Sequence, residues 1–246
     1  MPNERLDKLL ASTGRWSRSE AKRLVREGRV AVDGRIAASA EEKIDAESAA
    51  LTVDGETLRL RKHVYVMLHK PAGVLSATED GRGKTVLDLL PEAYKKRGMF
   101  PVGRLDKDTE GLLLLTDDGR LAHDLLSPKK HVDKRYFARV DGTLDEGDRA
   151  AFAAGMTLPD GLACMPAELE IVSSGAWSEA LVTIREGKFH QIKRMFSARG
   201  KTVVYLKRLS MGPLALDESL AAGAWRELTE AEERDLKLTD CPSFPV

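Results

Sequence analysis

Residues 103–115 have the sequence GRLDKDTEGLLLL, and the interpretation of the whole chain depends on this segment. A charged loop, bracketed by Gly103 and Gly111, leads directly into an apolar run that predicts a buried strand. A fold can hold a carboxylate rigidly beside a cleft at such a point, because the buried strand anchors the end of the loop. An ordinary solvated loop, in which acids and bases pair with one another, is the alternative.

Asp106 is the candidate for a catalytic carboxylate in this loop. Arg104 and Lys107 flank it, and nearby positive charge keeps a partly buried aspartate ionised and nucleophilic. A second polar cluster, residues 186–196, has the sequence EGKFHQIKRMF and predicts an amphipathic helix. A basic amphipathic helix explains most of that cluster, but it does not explain why histidine, glutamine and lysine crowd the first turn.

Composition excludes several classes of protein. The chain has 246 residues, with 39 basic and 39 acidic side chains, so it is neutral and cannot be a uniformly polycationic RNA coat. The five histidines lack metal-ligand spacing, and Thr78 stands where a phosphate-binding loop ending at Gly83 needs glycine. We therefore expect chemistry that uses no metal and no cofactor.

The chain also lacks signals for export or membrane insertion. Cys164 and Cys241 have no C-x-x-C spacing, and the longest apolar runs are too short to cross a bilayer. The first five residues do not open a signal peptide. We expect a cytoplasmic protein with no membrane partner.

The first 36 residues contain nine basic and five acidic side chains, a local excess of positive charge. Apolar spacing predicts a helix that ends before Gly14, and Ser17-x-x-Glu20 predicts a capping box that begins a second helix. Arg18, Lys22 and Arg26 are spaced by four, so they share one edge of that helix. Charge alone fits both a solvated face and a phosphate-binding edge.

Beyond Val64 the pattern predicts a mixture of strands and helices. Residues 135–140 alternate with period two, which places Tyr136, Ala138 and Val140 on one face of a strand. Apolar runs and capping signals predict the other elements. These are strands near 64–68, 112–116, 168–172 and 180–184, and helices beginning near 121, 145, 190 and 229.

The segments RLDKLLAS (5–12), SRSEAK (17–22) and GRVAVDG (28–34) resemble an S4 RNA-binding domain. The resemblance implies that the two helices and the following strand contact structured RNA, with the basic edge of the second helix against phosphates. The matching RNA-binding positions are Arg5, Arg15, Arg18, Lys22 and Arg26.

The remaining chain resembles an RsuA-type pseudouridine synthase. The matching motifs, in chain order, are KPAG (70–73), GRLD-x-DT-x-GLLLLTDDG (103–119), K-x-Y (134–136), EGK-x-HQIKRMF (186–196) and L-x-R-x-x-x-G (206–212). The resemblance implies catalytic roles for Asp106, Tyr136 and Lys193. It also implies substrate-pocket roles for Arg104, Leu105 and Leu206, and RNA contacts by Lys188, His190 and Arg194.

The resemblance further implies the fold and the reaction. We expect an α+β protein: a small S4 (alpha-L) domain at residues 1–60, a short basic linker at 61–64, and a pseudouridine synthase domain at 65–246. The catalytic domain should contain a mixed, largely antiparallel sheet flanked by helices. The reaction would isomerise a uridine of ribosomal RNA to pseudouridine without a cofactor or metal, by a protein that acts as a monomer.

The RNA target rests on resemblance alone. Lysine at position 193, with histidine before the glutamine, resembles the branch that acts on uridine 516 of 16S rRNA, free or within an assembly particle. The branch that modifies 23S rRNA mostly carries arginine at this place, and the same chemistry on 23S rRNA is one alternative. A non-catalytic S4-type RNA-binding protein that handles ribosomes is the other; it needs only residues 1–60 and leaves the Asp106 loop unexplained.

Overall fold

The structure is a computed structural model that describes residues 4–13, 15–46, 49–58, 63–127 and 130–238. Two compact units are present. The first comprises the described residues up to Val64 together with Leu90–Met99, and the second comprises Tyr65–Leu89 and the chain from Phe100 onward. The sequence predicts residues 90–99 within the catalytic domain. The structure groups them with the first unit, where the Arg97 guanidinium donates to the backbone carbonyl of Ser12.

The predicted domain boundaries remain predictions. Half of the predicted basic linker, residues 61 and 62, lies outside the described residues, as does Cys241. The described part of the linker, His63 and Val64, belongs to the first unit.

The first unit packs short helices against small antiparallel sheets. One sheet has the strand order β3-β2-β5-β6, and β1 pairs with β4. The elements are β1 (Glu4–Arg5), α1 (Leu6–Ser12), α2 (Arg18–Arg26), β2 (Val30–Val32), β3 (Arg35–Ile36), β4 (Lys43–Ile44), β5 (Leu51–Val53), β6 (Glu56–Leu58) and α3 (Glu92–Lys96).

The capping box predicted for α2 is present. The Ser17 hydroxyl accepts the Glu20 backbone N–H, and the Glu20 carboxylate accepts the Ser17 backbone N–H at 2.7 Å. This exchange satisfies two free amides of the first turn and fixes where α2 begins. Ala21, Leu24 and Val25 are buried beneath the helix, so its basic positions remain on the exposed face.

The second unit is built on a nine-stranded sheet. Its strand order is β13-β14-β10-β15-β9-β7-β17, with β16 beside β15 and β8 beside β9. The elements are β7 (Tyr65–Lys70), the 3-10 helix Val86–Leu89, β8 (Phe100–Pro101), β9 (Glu110–Thr116), α4 (Gly119–Leu126), β10 (Lys134–Asp141), α5 (Glu146–Ala154), β11 (Met156–Thr157), β12 (Ala163–Cys164), β13 (Glu168–Ser173), β14 (Trp177–Ile184), α6 (Gln191–Ala198), β15 (Thr202–Met211), β16 (Leu214–Ala215), β17 (Trp225–Glu227) and α7 (Glu230–Lys237).

The fold class predicted from the sequence is confirmed. Among the described strands only β9 and β15 pair in parallel, so the sheet is mixed and largely antiparallel. Strand β9 lies inside the sheet and buries Leu112–Leu115 completely. The alternation predicted for β10 is also present, with Tyr136 on its buried face. None of the described helices combines the length and apolarity that a membrane span requires.

Gly111 lets β9 and β15 approach each other immediately after the charged loop. Its φ is +105°, and a Cβ atom there would lie 2.2 Å from the backbone oxygen of Arg208. Two neighbouring backbones cannot relax around such a contact without separating. The glycine therefore sets how the Asp106 loop joins the sheet.

We expect Gly111→Ala to lower the free energy of unfolding by about 2–3 kcal/mol, combining overpacking with left-handed strain. Urea unfolding measures the loss. Gly119→Ala is the matched control, because nothing lies within 4 Å of a Cβ at that position. Equal stability of the two variants would contradict this account of the β9–β15 contact.

Candidate active site

The buried side chain of Lys70 holds the Asp106 loop through hydrogen bonds to its backbone. Lys70 ends β7 and is fully buried, and its Nζ lies within hydrogen-bond distance of four backbone carbonyl oxygens, which share its three N–H groups. The distances are 3.1 Å to Pro71, 3.0 Å to Asp106, 3.3 Å to Lys107 and 2.9 Å to Thr109. Burial lowers the pKa of Lys70 to about 8, because an ammonium loses its hydration in the interior. One side chain thus contacts three backbone carbonyls of the Asp106 loop and one immediately after β7.

Ser76 holds the same loop from a second side. Its hydroxyl donates to the Leu105 carbonyl at 2.9 Å and accepts the Leu105 N–H at 3.0 Å. Within the loop the Thr109 N–H donates to the Asp106 carbonyl at 3.1 Å. These bonds pin the backbone on either side of Asp106, so its carboxylate projects from a rigid turn.

Helix α6 supplies the positive charge beside Asp106. Lys193 Nζ lies 3.2 Å from Asp106 Oδ2 and 2.6 Å from Asp108 Oδ1, and His190 Nε2 lies 3.6 Å from Asp106 Oδ1. Burial opposes the charge on Lys193, but hydrogen bonds to Asp108 and Asp106 raise its pKa above the ordinary value. The bond from Lys193 lowers the pKa of Asp108. One ammonium therefore serves two carboxylates.

Asp106 opens into a cleft of about 420 Å³, a volume that includes space open to solvent. Tyr136 on β10 and Leu206 on β15 come from adjacent strands and are 7% and 6% exposed, respectively. Ionic groups therefore meet apolar and aromatic walls at one place. The cleft is lined by Arg104, Leu105, Asp106, Thr109, Tyr136, Ile184, Gly187, Lys188, His190, Gln191, Ile192, Lys193 and Leu206.

Comparison with known proteins shows the family. Residues 64–198 match the family model for RNA pseudouridylate synthase, and residues 4–49 match the S4 domain. The chain is 49% identical over 93% of its length to the uncharacterized RNA pseudouridine synthase YtzG of Bacillus subtilis, of which 96% is covered. This chain belongs to the RNA pseudouridylate synthase family.

Two further relatives are similar to this pseudouridine synthase over nearly its whole length. It is 40% identical to the ribosomal small subunit pseudouridine synthase A of Vibrio cholerae, covering 93% of this chain and 97% of that one. A crystal structure of a pseudouridylate synthase shares 37% identity with a TM-score of 0.65, covering 95% of this chain and 99% of the other. The protein is therefore an isomerase with an S4 RNA-binding domain, and the family predicted from the sequence motifs is confirmed.

The structure brings the three predicted catalytic side chains of the pseudouridine synthase into one cleft. Eight predicted site residues line it: Arg104, Leu105, Asp106, Tyr136, Lys188, His190, Lys193 and Leu206. Arg194, predicted to bind RNA, does not line the cleft, and its guanidinium pairs with Asp160 at 2.5 Å. Lys188 lines the cleft, but its ammonium pairs with the buried Glu186 at 2.8 Å.

Three of the five predicted RNA-binding residues of the first unit lie beside a buried carboxylate. Asp7 is 1% exposed, and Arg5 donates to both of its oxygens at 3.0 and 3.1 Å. These bonds lower the pKa of Asp7. Arg18 and Lys22 approach the same carboxylate less closely, at 3.9 and 4.0 Å. The remaining two predicted residues, Arg15 and Arg26, are exposed.

Sequence reasoning missed three residues that shape the cleft of the synthase. The sequence indicates Lys70 only as part of the KPAG motif (70–73), although its place at the end of a buried strand could have indicated a buried cation. Asp108 competes with Asp106 for Lys193, and its signal was the two-residue spacing in the loop. Thr109 lines the cleft with a buried hydroxyl that has no hydrogen-bond partner among the described residues. No sequence signal distinguished that hydroxyl from an ordinary loop threonine.

Proposed function

We propose that this protein isomerises one uridine of 16S rRNA, at position 516, to pseudouridine, with Asp106 as nucleophile and without a cofactor. The observation that carries the proposal is the position of the Asp106 carboxylate, 3.2 Å from Lys193 in a cleft walled by Tyr136. Support for the RNA target comes from the Vibrio cholerae relative, which is named for the small ribosomal subunit. Isomerisation adds and removes no atoms, so the reaction needs no energy source.

Asp106 acts on the nucleotide as its glycosidic C–N bond breaks. The carboxylate stabilises or captures the positive charge that develops, as carboxylates do in glycoside cleavage. Lys193 pairs with the carboxylate and keeps it oriented once the RNA has expelled water from the cleft. Because the ammonium also binds Asp108, it remains paired while Asp106 reacts.

Tyr136 receives the uracil ring. The target uridine must leave its stack in the RNA, which costs a few kcal/mol, and an aromatic wall in the cleft offsets part of that cost. Once C5 has bonded to the sugar carbon, the phenol relays the C5 proton to solvent, while N1, released from the sugar, takes up a proton, so the reaction balances as an isomerisation. The exposed basic edge of α2, formed by Arg18, Lys22 and Arg26, binds phosphates of the same RNA, and binding should weaken as salt rises.

Mapping of pseudouridines in the absence of the gene tests this proposal. Ribosomal RNA from deletion cells, and from cells complemented with the wild type or with Asp106→Asn, is treated with carbodiimide and copied by reverse transcriptase. The expected result is the loss of one stop in 16S rRNA, restored only by the wild type. Release of tritium from C5-labelled uridine in the purified reaction then measures turnover directly.

The same experiment discriminates the two other readings. Loss of a 23S stop with every 16S stop intact would assign the protein to the large-subunit branch. Intact stops in both RNAs, together with no tritium release, would leave an RNA-binding role without catalysis. Deletion cells that lose only a 16S stop contradict both.

A further inference from the structure

Phe189 is an exposed aromatic residue immediately outside the active-site cleft. Its surface is 71% exposed, yet it directly precedes His190, which lines the cleft. The two rings stack with their centroids 3.8 Å apart and their planes at 17°. A single exposed apolar side chain is common on protein surfaces. The stacking and the position of Phe189, rather than its exposure, make the residue informative.

The turn that carries this aromatic pair is held by hydrogen bonds. His190 has left-handed backbone angles, φ 51° and ψ 31°, which are uncommon for residues other than glycine, although histidine adopts them more readily than most. The buried Gln191 side chain accepts the Lys188 N–H at 3.1 Å and donates to Glu186 at 2.8 Å. The Phe189–His190 pair is therefore presented in a fixed orientation at the start of α6.

The pair joins a residue of the cleft to an exposed one. His190 lines the cleft, with Nε2 3.6 Å from Asp106, and the Phe189 ring stacked on its imidazole is exposed. Charged side chains adjoin it, since Lys188 precedes the pair and Arg194 Nη1 lies 3.4 Å from the Phe189 carbonyl. Both cations are paired with carboxylates, Lys188 with Glu186 and Arg194 with Asp160, so the ring itself is the feature that a ligand would contact. A flat exposed ring backed by a second ring and surrounded by charged side chains matches the face of a nucleobase better than it matches an apolar protein surface.

We propose that Phe189, backed by His190, is a stacking platform for the nucleobase adjacent to the target uridine. When that uridine turns into the cleft, its neighbour loses a stacking partner, and the Phe189 ring replaces it. This inference rests on the proposed function, because it assumes that the cleft receives a uridine from an RNA strand. Phe189 acts on binding and does not touch the reacting atoms.

The test compares Phe189→Ala, Phe189→Trp and wild type in tritium release, using short RNAs that span the mapped uridine. Because one stacked base contributes a moderate part of the affinity, Phe189→Ala should raise KM about tenfold and change kcat less than about twofold. Phe189→Trp should restore KM. Trp177→Ala, at an aromatic residue 60% exposed at the start of β14, is the matched control and should behave as wild type.

RNAs with an abasic site directly 5′ or 3′ of the uridine separate stacking from a structural role. On one of these RNAs the KM of the wild type should rise about tenfold above its value on intact RNA. The KM of Phe189→Ala, already raised on intact RNA, should not rise further. Equal KM of Phe189→Ala and wild type on intact RNA, or an undiminished abasic penalty in the variant, would overturn the platform. Absence of tritium release by wild type from the short RNAs and also from 16S rRNA within an assembly particle would instead reject the proposed function.

Discussion

Asp106→Asn should abolish pseudouridine formation while leaving the protein folded and able to bind RNA. The substitution nearly preserves shape but removes the negative charge that Lys193 holds at 3.2 Å. Asp106 is the only carboxylate among the described residues that line the cleft, so the variant lacks an anionic group there to stabilise the charge that develops as the glycosidic bond breaks. By analogy with the removal of other enzymatic nucleophiles, we expect kcat to fall by about 10⁴-fold or more. Tritium release under single-turnover conditions measures this loss.

Asp108→Asn is the matched control for that prediction. Asp108 lies in the same loop and makes the shorter contact with Lys193, but its side chain is 74% exposed. An exposed carboxylate is hydrated and cannot concentrate its charge on a bound nucleotide. Its loss should lower kcat by less than about tenfold. If Asp108→Asn proved inactive while Asp106→Asn turned over, the catalytic role would belong to Asp108.

The elements that the sequence predicts well are those with strong local signals. The capping boxes at Ser17 and Thr229 begin α2 and α7 in the structure, because a reciprocal pair of hydrogen bonds is encoded within four residues. The alternation in residues 135–140 likewise places Tyr136 on the buried face of β10. In such segments periodicity and local bonding agree, so no distant contact is needed to interpret them.

Strand β15 escaped prediction because its environment is not local. It lies between β10 and β9, and its pairing with β10 shifts register twice, so apolar residues do not alternate with period two. Helix α3 has five residues and buries none, which leaves no apolar stripe to detect. Only motif resemblance indicated that Leu206 belongs to the cleft; its place opposite Ala138 depends on that irregular register.

The distances between side chains in the cleft could not be predicted from the sequence either, because they too depend on non-local packing. The sequence places Asp106 in a charged loop and Lys193 at the start of a helix, but their distance depends on how α6 packs beside the sheet. Lys193 forms ion pairs with both Asp106 and Asp108, and only the structure reveals this shared contact. The burial of Lys70 has the same origin, since four carbonyls from two segments converge on its ammonium.

Lys70→Met should both destabilise the protein and impair catalysis. The variant removes the donor that four carbonyl oxygens share, three from the loop and one from Pro71. The carbonyls of Asp106 and Lys107 keep a backbone N–H partner, but each buried acceptor that is left unsatisfied is costly. Relief of the buried charge offsets part of this cost, so we expect a net loss of about 3 kcal/mol in unfolding free energy. Because the loop carries Asp106, kcat should fall by about 10²-fold or more, as for a misplacement of about 1 Å.

The free energy of unfolding should depend on pH in a direction that the pKa of Lys70 determines. Burial lowers the pKa of Lys70 from its ordinary 10.5 to about 8, so between these values the unfolded chain binds more protons at this group than the folded protein does. Stability from Lys70 therefore rises with pH across that window, by up to about 1.4 kcal/mol per pH unit. Urea unfolding at several pH values should show the difference in unfolding free energy between wild type and Lys70→Met growing from pH 8 toward 10.

Lys107→Met, at the exposed lysine of the same loop, is the control and should leave stability and its pH dependence unchanged. A wild-type advantage that shrinks as pH rises would mean that the loop requires the charged ammonium rather than the neutral amine.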